Sequence, residues 1–383
     1  MHIGITGPTY LPSIKINYSG DRNIWPRGMG GSPVNNEINA LLELGYKVSV
    51  FSLSPEIEPG NSFEWIDGNL SIFMGPYRKK ARSRCLDLFY KERKFLKEKI
   101  LEIKPDVIHA HWQYEWGWAA INSGIPTLLT CHDAPIKILQ NKFDLYRVCR
   151  LIMAFIVLRK AKYITAVSPD TKKGLKIFTK KTITVIPNFA SDNTFTFNQT
   201  RKINNSLKVV MINNSFYGPK NVKLGVQAFN RLKTTLPNIE LHLYGKHHGK
   251  NEDAEQWCQN NSVLGNVFFH GELPYETLML ELSKNDILIH TSLEESFGMI
   301  LIEAMAMGIP VVAGINSGGV PWVLKEGGGE LVDIKSEDAI IQGIEKVVAD
   351  YNNYSKQAHL VASNRFSKKN VVDLYLNKLK NII

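Results

Sequence analysis

No stretch of this chain is apolar for long enough to cross a bilayer. The longest such run, Leu151 to Leu158, falls far short of the roughly 20 residues that a spanning helix needs. The opening Met1-His-Ile-Gly-Ile-Thr-Gly is a short strand without a basic segment and a long apolar one behind it. No secretory signal is read there, and the cytoplasm is the expected location, with attachment to the inner face of the membrane as a variant. Cysteine is scarce. Cys85, Cys131, Cys149 and Cys258 are scattered without CxxC or other metal-ligand spacing, which suits reduced thiols and excludes a disulfide scaffold. There is no Asp-x-Asp pair to help hold a divalent cation, so no metal and no other cofactor is expected. There is no GxxxxGK[ST], which excludes a P-loop kinase, and no internal repeat or low-complexity segment.

What is present is the composition of a soluble globular protein, 44% hydrophobic and 21% charged over 383 residues, a length that suits two domains. The net charge of +10 points to an anionic partner. The excess gathers between Arg78 and Lys99, where ten Lys or Arg face Asp87, Glu92 and Glu98. Leu86, Phe89, Phe95, Leu96 and Ile100 are interleaved, a pattern that fits either an anionic membrane surface or a solvated helix face.

Short apolar strands alternate with amphipathic helices, which predicts an α/β chain with parallel sheets. Strands are expected at Ile3–Thr6, Lys47–Phe51, Val107–Ala110, Thr127–Thr130, Tyr163–Val167 and Thr182–Ile186. A second series follows at Lys208–Ile212, Ile239–Tyr244, Val267–Phe269, Ile287–His290 and Val311–Ala313. Ser32-Pro33 reads as the N-cap and first position of a helix that Gly45 stops, and a final helix is expected over about 368–380. The polar stretch 190–206 is the linker candidate. Two Rossmann-like, doubly wound domains facing a cleft result. One is 1–190 with a returning C-terminal helix at about 367–383, and the other is 191–366. Ligands of such sheets bind beyond the carboxyl ends of strands.

The strongest signal follows strand Ile287–His290: Glu295-Ser-Phe-Gly298-Met-Ile-Leu-Ile-Glu303-Ala-Met-Ala-Met-Gly308. A helix starting near Gly298 leaves the amides of Met299 and Ile300 free for a phosphate. Eight helical steps would span about 12 Å, comparable to a sugar-diphosphate-ribose. One carboxylate then takes sugar hydroxyls and the other the ribose diol. After Lys208–Ile212 comes Asn213-Asn-Ser215-Phe-Tyr-Gly-Pro-Lys220-Asn221, where Lys220 can neutralise a diphosphate leaving group. His132, in Thr130-Cys-His132-Asp133, stands at a strand's carboxyl end, where it can donate a hydrogen bond or move a proton. Arg27-Gly28-Met-Gly30-Gly31-Ser32 lets backbone amides approach a phosphate.

Together these segments resemble the retaining glycosyltransferases of family 4 (glycosyl transferases group 1), which have the GT-B fold. The Glu-x7-Glu pair, its Phe297-Gly298 and the following Glu-Ala-Met-Ala carry the likeness. Further support comes from Asp-Val-Ile-His109-Ala-His111-Trp, Ile186-Pro-Asn-Phe189, Tyr244-Gly245 with His270-Gly-Glu-Leu273, and Ser317-Gly-Gly-Val-Pro-Trp322. The family's Arg-x4-Lys-Gly element keeps Lys220 but has Ser215 for the arginine and Asn221 for the glycine. Phe189 and Trp322 replace a usual Gly and Glu.

The resemblance implies His132, Lys220 and Glu295 as catalytic, with Glu295 on the sugar and Glu303 on the ribose. It implies Gly30, Gly31, Ser215, Tyr244, Gly245, Leu273, Phe297, Gly298, Met299, Ile300 and Glu303 around the donor. The implied reaction is metal-independent, retaining transfer from a UDP- or GDP-linked sugar to a hydroxyl of a glycan or lipid-linked oligosaccharide, in bacterial O-antigen, capsule or lipopolysaccharide synthesis. Trp112, Trp116 and Trp118 are candidates for stacking on acceptor sugars. A nucleotide-sugar epimerase or other non-transferring GT-B enzyme is the alternative. A nucleic-acid partner is not expected; steep salt dependence would mark one.

Overall fold

The computed structural model describes residues 1–16, 22–199 and 206–383. The chain divides into two compact units, 1–188 with 369–383, and 189–368.

In the first unit eight strands form one sheet: β1 (His2–Thr6), β2 (Lys47–Ser54), β3 (Phe63–Asp67), β4 (Leu70–Pro76), β5 (Val107–His111), β6 (Thr127–Cys131), β7 (Tyr163–Ala166) and β8 (Ile183–Val185). Their spatial order is β3-β4-β2-β1-β5-β6-β7-β8. All neighbours are parallel except β3 and β4. The second unit holds β9 (Leu207–Ile212), β10 (Ile239–Tyr244), β11 (Val267–Gly271), β12 (Ile287–His290), β13 (Val311–Gly314) and β14 (Gly329–Val332), all parallel, in the order β11-β10-β9-β12-β13-β14. Strands buried on both faces read as continuous apolar runs because helices cover both sides; β1, β5, β6 and β12 are such strands.

Strand order reverses between β1 and β5 in one unit and between β9 and β12 in the other. Each reversal leaves a crevice at the strands' carboxyl ends. These two places receive the residues discussed below.

Sequence reading omits β3, β4 and β14. The β3–β4 hairpin carried a usable signal, because Asp67 pairs with Leu70 and leaves Gly68-Asn69 as a two-residue turn with Gly68 at φ +53°. The first helix runs Ser32–Glu43 with Gly31, not Ser32, as its N-cap, and Gly45 follows it at φ +78°. Part of the expected linker, 200–205, lies outside the described residues. The rest is not a plain linker, since Asp192–Phe195 is helical and the Ala190 amide donates to the Phe366 carbonyl at 3.0 Å. The helix Lys368–Lys380 buries Val371, Val372, Tyr375, Leu376 and Leu379, and the Tyr375 hydroxyl donates to the Ile186 carbonyl.

Candidate active site

In the second unit the crevice between β9 and β12 is bridged by an ion pair. Lys220 Nζ lies 3.1 Å from Glu295 Oε2, and both side chains are about three-quarters covered. Two hydrogen bonds hold the loops that carry them. The Thr291 hydroxyl donates to the Lys220 carbonyl at 2.8 Å, and the Leu293 amide to the Pro219 carbonyl at 2.7 Å. The Gly319 amide donates to the Glu295 carbonyl, tying in the loop after β13. His290, at the end of β12, has Nε2 3.8 Å from the same Glu295 oxygen; burial pushes its pKa down to about 4, so it is neutral.

The helix Met299–Ala306 starts behind Gly298, at φ +89°. A Cβ there would stand 2.7 Å from Leu301 Cδ1, so the turn needs glycine on two counts. Met299 and Ile300 are in the helix's first turn, where amides have no partner inside the helix. Glu303, one turn on, is buried, and the Tyr275 hydroxyl donates to its Oε1 at 2.8 Å. Burial raises its pKa to about 7, against the Tyr275 hydrogen bond.

Around this pair, buried polar atoms lack partners among the described residues: both side-chain atoms of Asn213, His290 Nε2, Ser292 Oγ and Ser317 Oγ. Buried polar groups are rarely left unpaired, and a cluster of them at one strand-end crevice is what a polar ligand leaves behind. Gly245 adjoins Asn213 so closely that a Cβ would meet its carbonyl oxygen at 1.9 Å.

In the first unit the residues after β5 and β6 meet. His111 Nδ1 and His132 Nε2 are 3.0 Å apart, and the Trp112 ring stacks on His132 at 4.2 Å. Trp112 sits at φ +65°, a left-handed conformation that non-glycine residues rarely adopt. Burial pushes the His132 pKa well below its ordinary value, so the ring is neutral. The next residue, Asp133, is half-buried, with Tyr114 Oη donating to Oδ1 at 2.6 Å and Gln113 Nε2 at 2.7 Å. The glycine loop after β1 enters the first helix here. Gly31 is indispensable, since a Cβ would lie 2.2 Å from the Pro8 carbonyl oxygen, whereas the space around Gly30 is open.

The structure corrects several sequence assignments. Trp116 is only 3% exposed and stacks on Tyr77 in the core, and Trp118 lies buried under Arg93, so neither ring is free to stack on an acceptor. Phe297 packs on Phe366 and Trp322, so its ring is core and not a donor contact. Tyr244 is buried against His270, which leaves the Gly245 backbone as that loop's available group. Ser215 is a turn residue, its hydroxyl accepting from the Tyr217 amide at 3.1 Å, and Leu273 is half-buried after β11.

Two family models match the chain. One, described as Glycosyltransferase Family 4, covers residues 34–193, and the other, Glycosyl transferases group 1, covers 192–365. The chain is a group 1, family 4 glycosyltransferase. The transferase is 24% identical over 294 residues to the N-acetyl-α-D-glucosaminyl L-malate synthase of Bacillus anthracis, across 70% of this chain and 73% of that one. It is 28% identical over 207 residues to a lipopolysaccharide core biosynthesis glycosyltransferase of Rhizobium meliloti, across 52% and 58% of the two chains. Among solved structures it resembles HepE of Anabaena, in complex with UDP, with a TM-score of 0.69, 17% identity and all of both chains covered. The fold of the transferase is GT-B.

Four residues escaped sequence reading. His290 obeys the strand-end rule that picked out His132. Glu37 had a signal too, as an acid on the apolar face that Val34, Ile38 and Leu41 give the first helix. Asn213 and Tyr275 had none.

Proposed function

We propose that this glycosyltransferase moves a sugar from a UDP- or GDP-sugar to a hydroxyl of a glycan or lipid-linked oligosaccharide in surface polysaccharide synthesis, with retention and without a metal. The observation that carries the donor side is the β9/β12 crevice. It gathers one cation, two first-turn amides, a buried carboxylate and a ring of unpartnered polar atoms, the complement of a diphosphate with a sugar at one end and a ribose at the other. Lys220 and the amides take the role a metal would have at the diphosphate. In the other unit the carboxylates near His132 are engaged, Asp133 by Tyr114 and Gln113 and Glu37 by histidines. That favours front-face attack assisted by the leaving phosphate over a covalent glycosyl intermediate. The lipopolysaccharide relative supports the acceptor class. The test is a melting-temperature screen against UDP-, GDP-, ADP- and CMP-sugars. A ligand at 100 times its Kd adds about 2.7 kcal/mol, several degrees of shift. If no nucleotide sugar shifts the transition, the proposal falls.

The charge and surface of the first unit support attachment to an anionic membrane, but through different residues than the whole segment 78–99. Arg78 is paired with Asp87 and Glu92, Arg84 lies over Tyr77, Arg93 over Trp118, and Lys99 joins Glu64 and Glu102. Phe89, Leu96 and Ile100 are core. Lys80 and Arg82 are exposed, as is Lys79, whose pair with Glu58 at 3.2 Å lies in solvent. Beside them the helix Ala81–Leu86 packs on the helix Leu145–Lys160, and Leu86, Phe143 and Leu145 are 81%, 81% and 66% exposed. Vesicles rich in anionic lipid should bind the protein. Exchanging Lys79, Lys80 and Arg82 for Gln, or Phe143 and Leu145 for Ser, should each weaken binding. Wild-type protein that ignores such vesicles would refute the attachment.

A further inference from the structure

Six side chains from four segments of the first unit form one buried chain of contacts. Glu37 Oε1 lies 2.5 Å from His109 Nδ1, and Glu37 Oε2 lies 3.2 Å from His111 Nε2. His109 Nε2 is 2.6 Å from the Thr130 hydroxyl, which meets the Thr165 hydroxyl at 2.6 Å. His111 Nδ1 is 3.0 Å from His132 Nε2, and the remaining nitrogen of His132 bonds to nothing among the described residues.

The proton positions follow from these contacts. A carboxylate only accepts, so His109 carries its hydrogen on Nδ1. The His111 Nε2 contact at 3.2 Å is a charge contact outside hydrogen-bond angles, and the negative oxygen there draws the His111 hydrogen to Nε2. A neutral His111 then has a lone pair at Nδ1, and the hydrogen in the 3.0 Å contact belongs to His132 Nε2. His132 is left with a bare Nδ1. The second carboxylate oxygen, two bonds and a ring away, thus decides which edge of His132 accepts.

Glu37, His109 and His111 also have the residue types of a metal site. Their spacing argues otherwise. Ligand atoms around a tetrahedral zinc at 2.0–2.1 Å stand about 3.3 Å apart, whereas the Glu37–His109 contact of 2.5 Å is a hydrogen bond with no space for an ion.

We propose that Glu37 is a positioning residue that acts through His111 to hold His132 as a hydrogen-bond acceptor at Nδ1, so that the ligand group it meets is a hydroxyl donating to it. A carboxylate or an ether oxygen at that point would face a lone pair, so the arrangement selects against an acid sugar and for one that presents a donor, here a hydroxyl, at that position. The selectivity rests on the transfer reading above; the proton pattern does not.

The pattern is read on the full-length protein without substrate, by NMR with 15N-imidazole histidine. His111 and His132 should show a protonated Nε2 and a bare Nδ1, and His109 the reverse. Glu37→Gln puts an amide donor where an acceptor stood, and His132 should become a mixture of tautomers. If that variant does not fold, His111→Phe keeps a ring in place, removes Nδ1, and should release His132 in the same way. In a transfer assay either change should lower kcat on the order of 10- to 100-fold, while donor KM, set in the other unit, stays near wild type. A wild-type His132 protonated at Nδ1, an unchanged His132 in a folded variant, or uptake of one equivalent of zinc would each overturn the assignment. Failure of the melting screen with an intact nitrogen pattern would instead refute the transfer reading alone.

Discussion

Glu303→Gln is expected to raise the melting temperature of the unliganded protein at pH 8 and to remove most of the stabilisation by nucleotide sugar. The two effects share one cause. Burial lifts the Glu303 pKa from its ordinary value to about 7, so the folded state disfavours the carboxylate that the unfolded state ionises freely. A raised carboxyl pKa makes stability fall as pH climbs from the unfolded value through the folded one, and the full penalty is present above pH 7. At 1.36 kcal/mol per pKa unit that penalty is about 3 kcal/mol, which Gln avoids while still accepting from Tyr275. A ribose diol donates to Glu303 best when it is ionised, so donor affinity should rise with pH up to about 7 and level off above. Replacing the charged acceptor by a neutral one should weaken the donor on the order of 10- to 100-fold. Calorimetry at pH 6 and pH 8 checks this. Affinity that does not change between them, or a less stable Gln variant at pH 8, would count against the assignment.

The second large effect concerns Lys220 and Glu295. They neutralise each other at 3.1 Å. A diphosphate must therefore draw Lys220 away from Glu295, and the freed carboxylate then becomes available to sugar hydroxyls. Lys220→Ala should lower turnover on the order of 100- to 1,000-fold, the usual consequence of losing one preorganised charge at a leaving group. Glu295→Gln should act differently. It releases Lys220, so free nucleoside diphosphate should bind more tightly while transfer slows. Isothermal titration with UDP and GDP alongside steady-state rates separates the two, and a Gln variant that loses affinity and turnover in parallel would contradict the competition.

The second unit was the more legible from sequence. Its strands alternate with helices of clear period, and the strands at Ile239–Tyr244 and Ile287–His290 were delimited to the residue. The first unit hid more, because β3 is a mostly exposed edge strand without a continuous apolar run, so the hairpin's signal is confined to the Gly68-Asn69 turn. Side-chain roles were less readable than positions. Trp116 and Phe297 occupy positions that look functional from their neighbours, and only packing shows that their rings close the core. Arg78 and Arg84 look like free surface charge until Glu92 and the Tyr77 ring are found against them. Long-range pairs such as Lys220 with Glu295, or Glu37 with His111, are properties of sheet order, which no local pattern encodes.

The returning helix Lys368–Lys380 has a consequence for how the molecule is made. The ring of Tyr375 lies 4.7 Å from that of His109, over the histidine relay. Unit 189–368 is continuous and can close as soon as it leaves the ribosome, whereas the unit translated first waits for residues 369–383. Synthesis order and folding order are thereby reversed for half of the protein. A chain interrupted before residue 369 would carry a finished donor-side unit beside an uncovered relay. It could hold nucleotide sugar while lacking the Tyr375 cover, and full activity would be reserved for chains that carry residues 369–383.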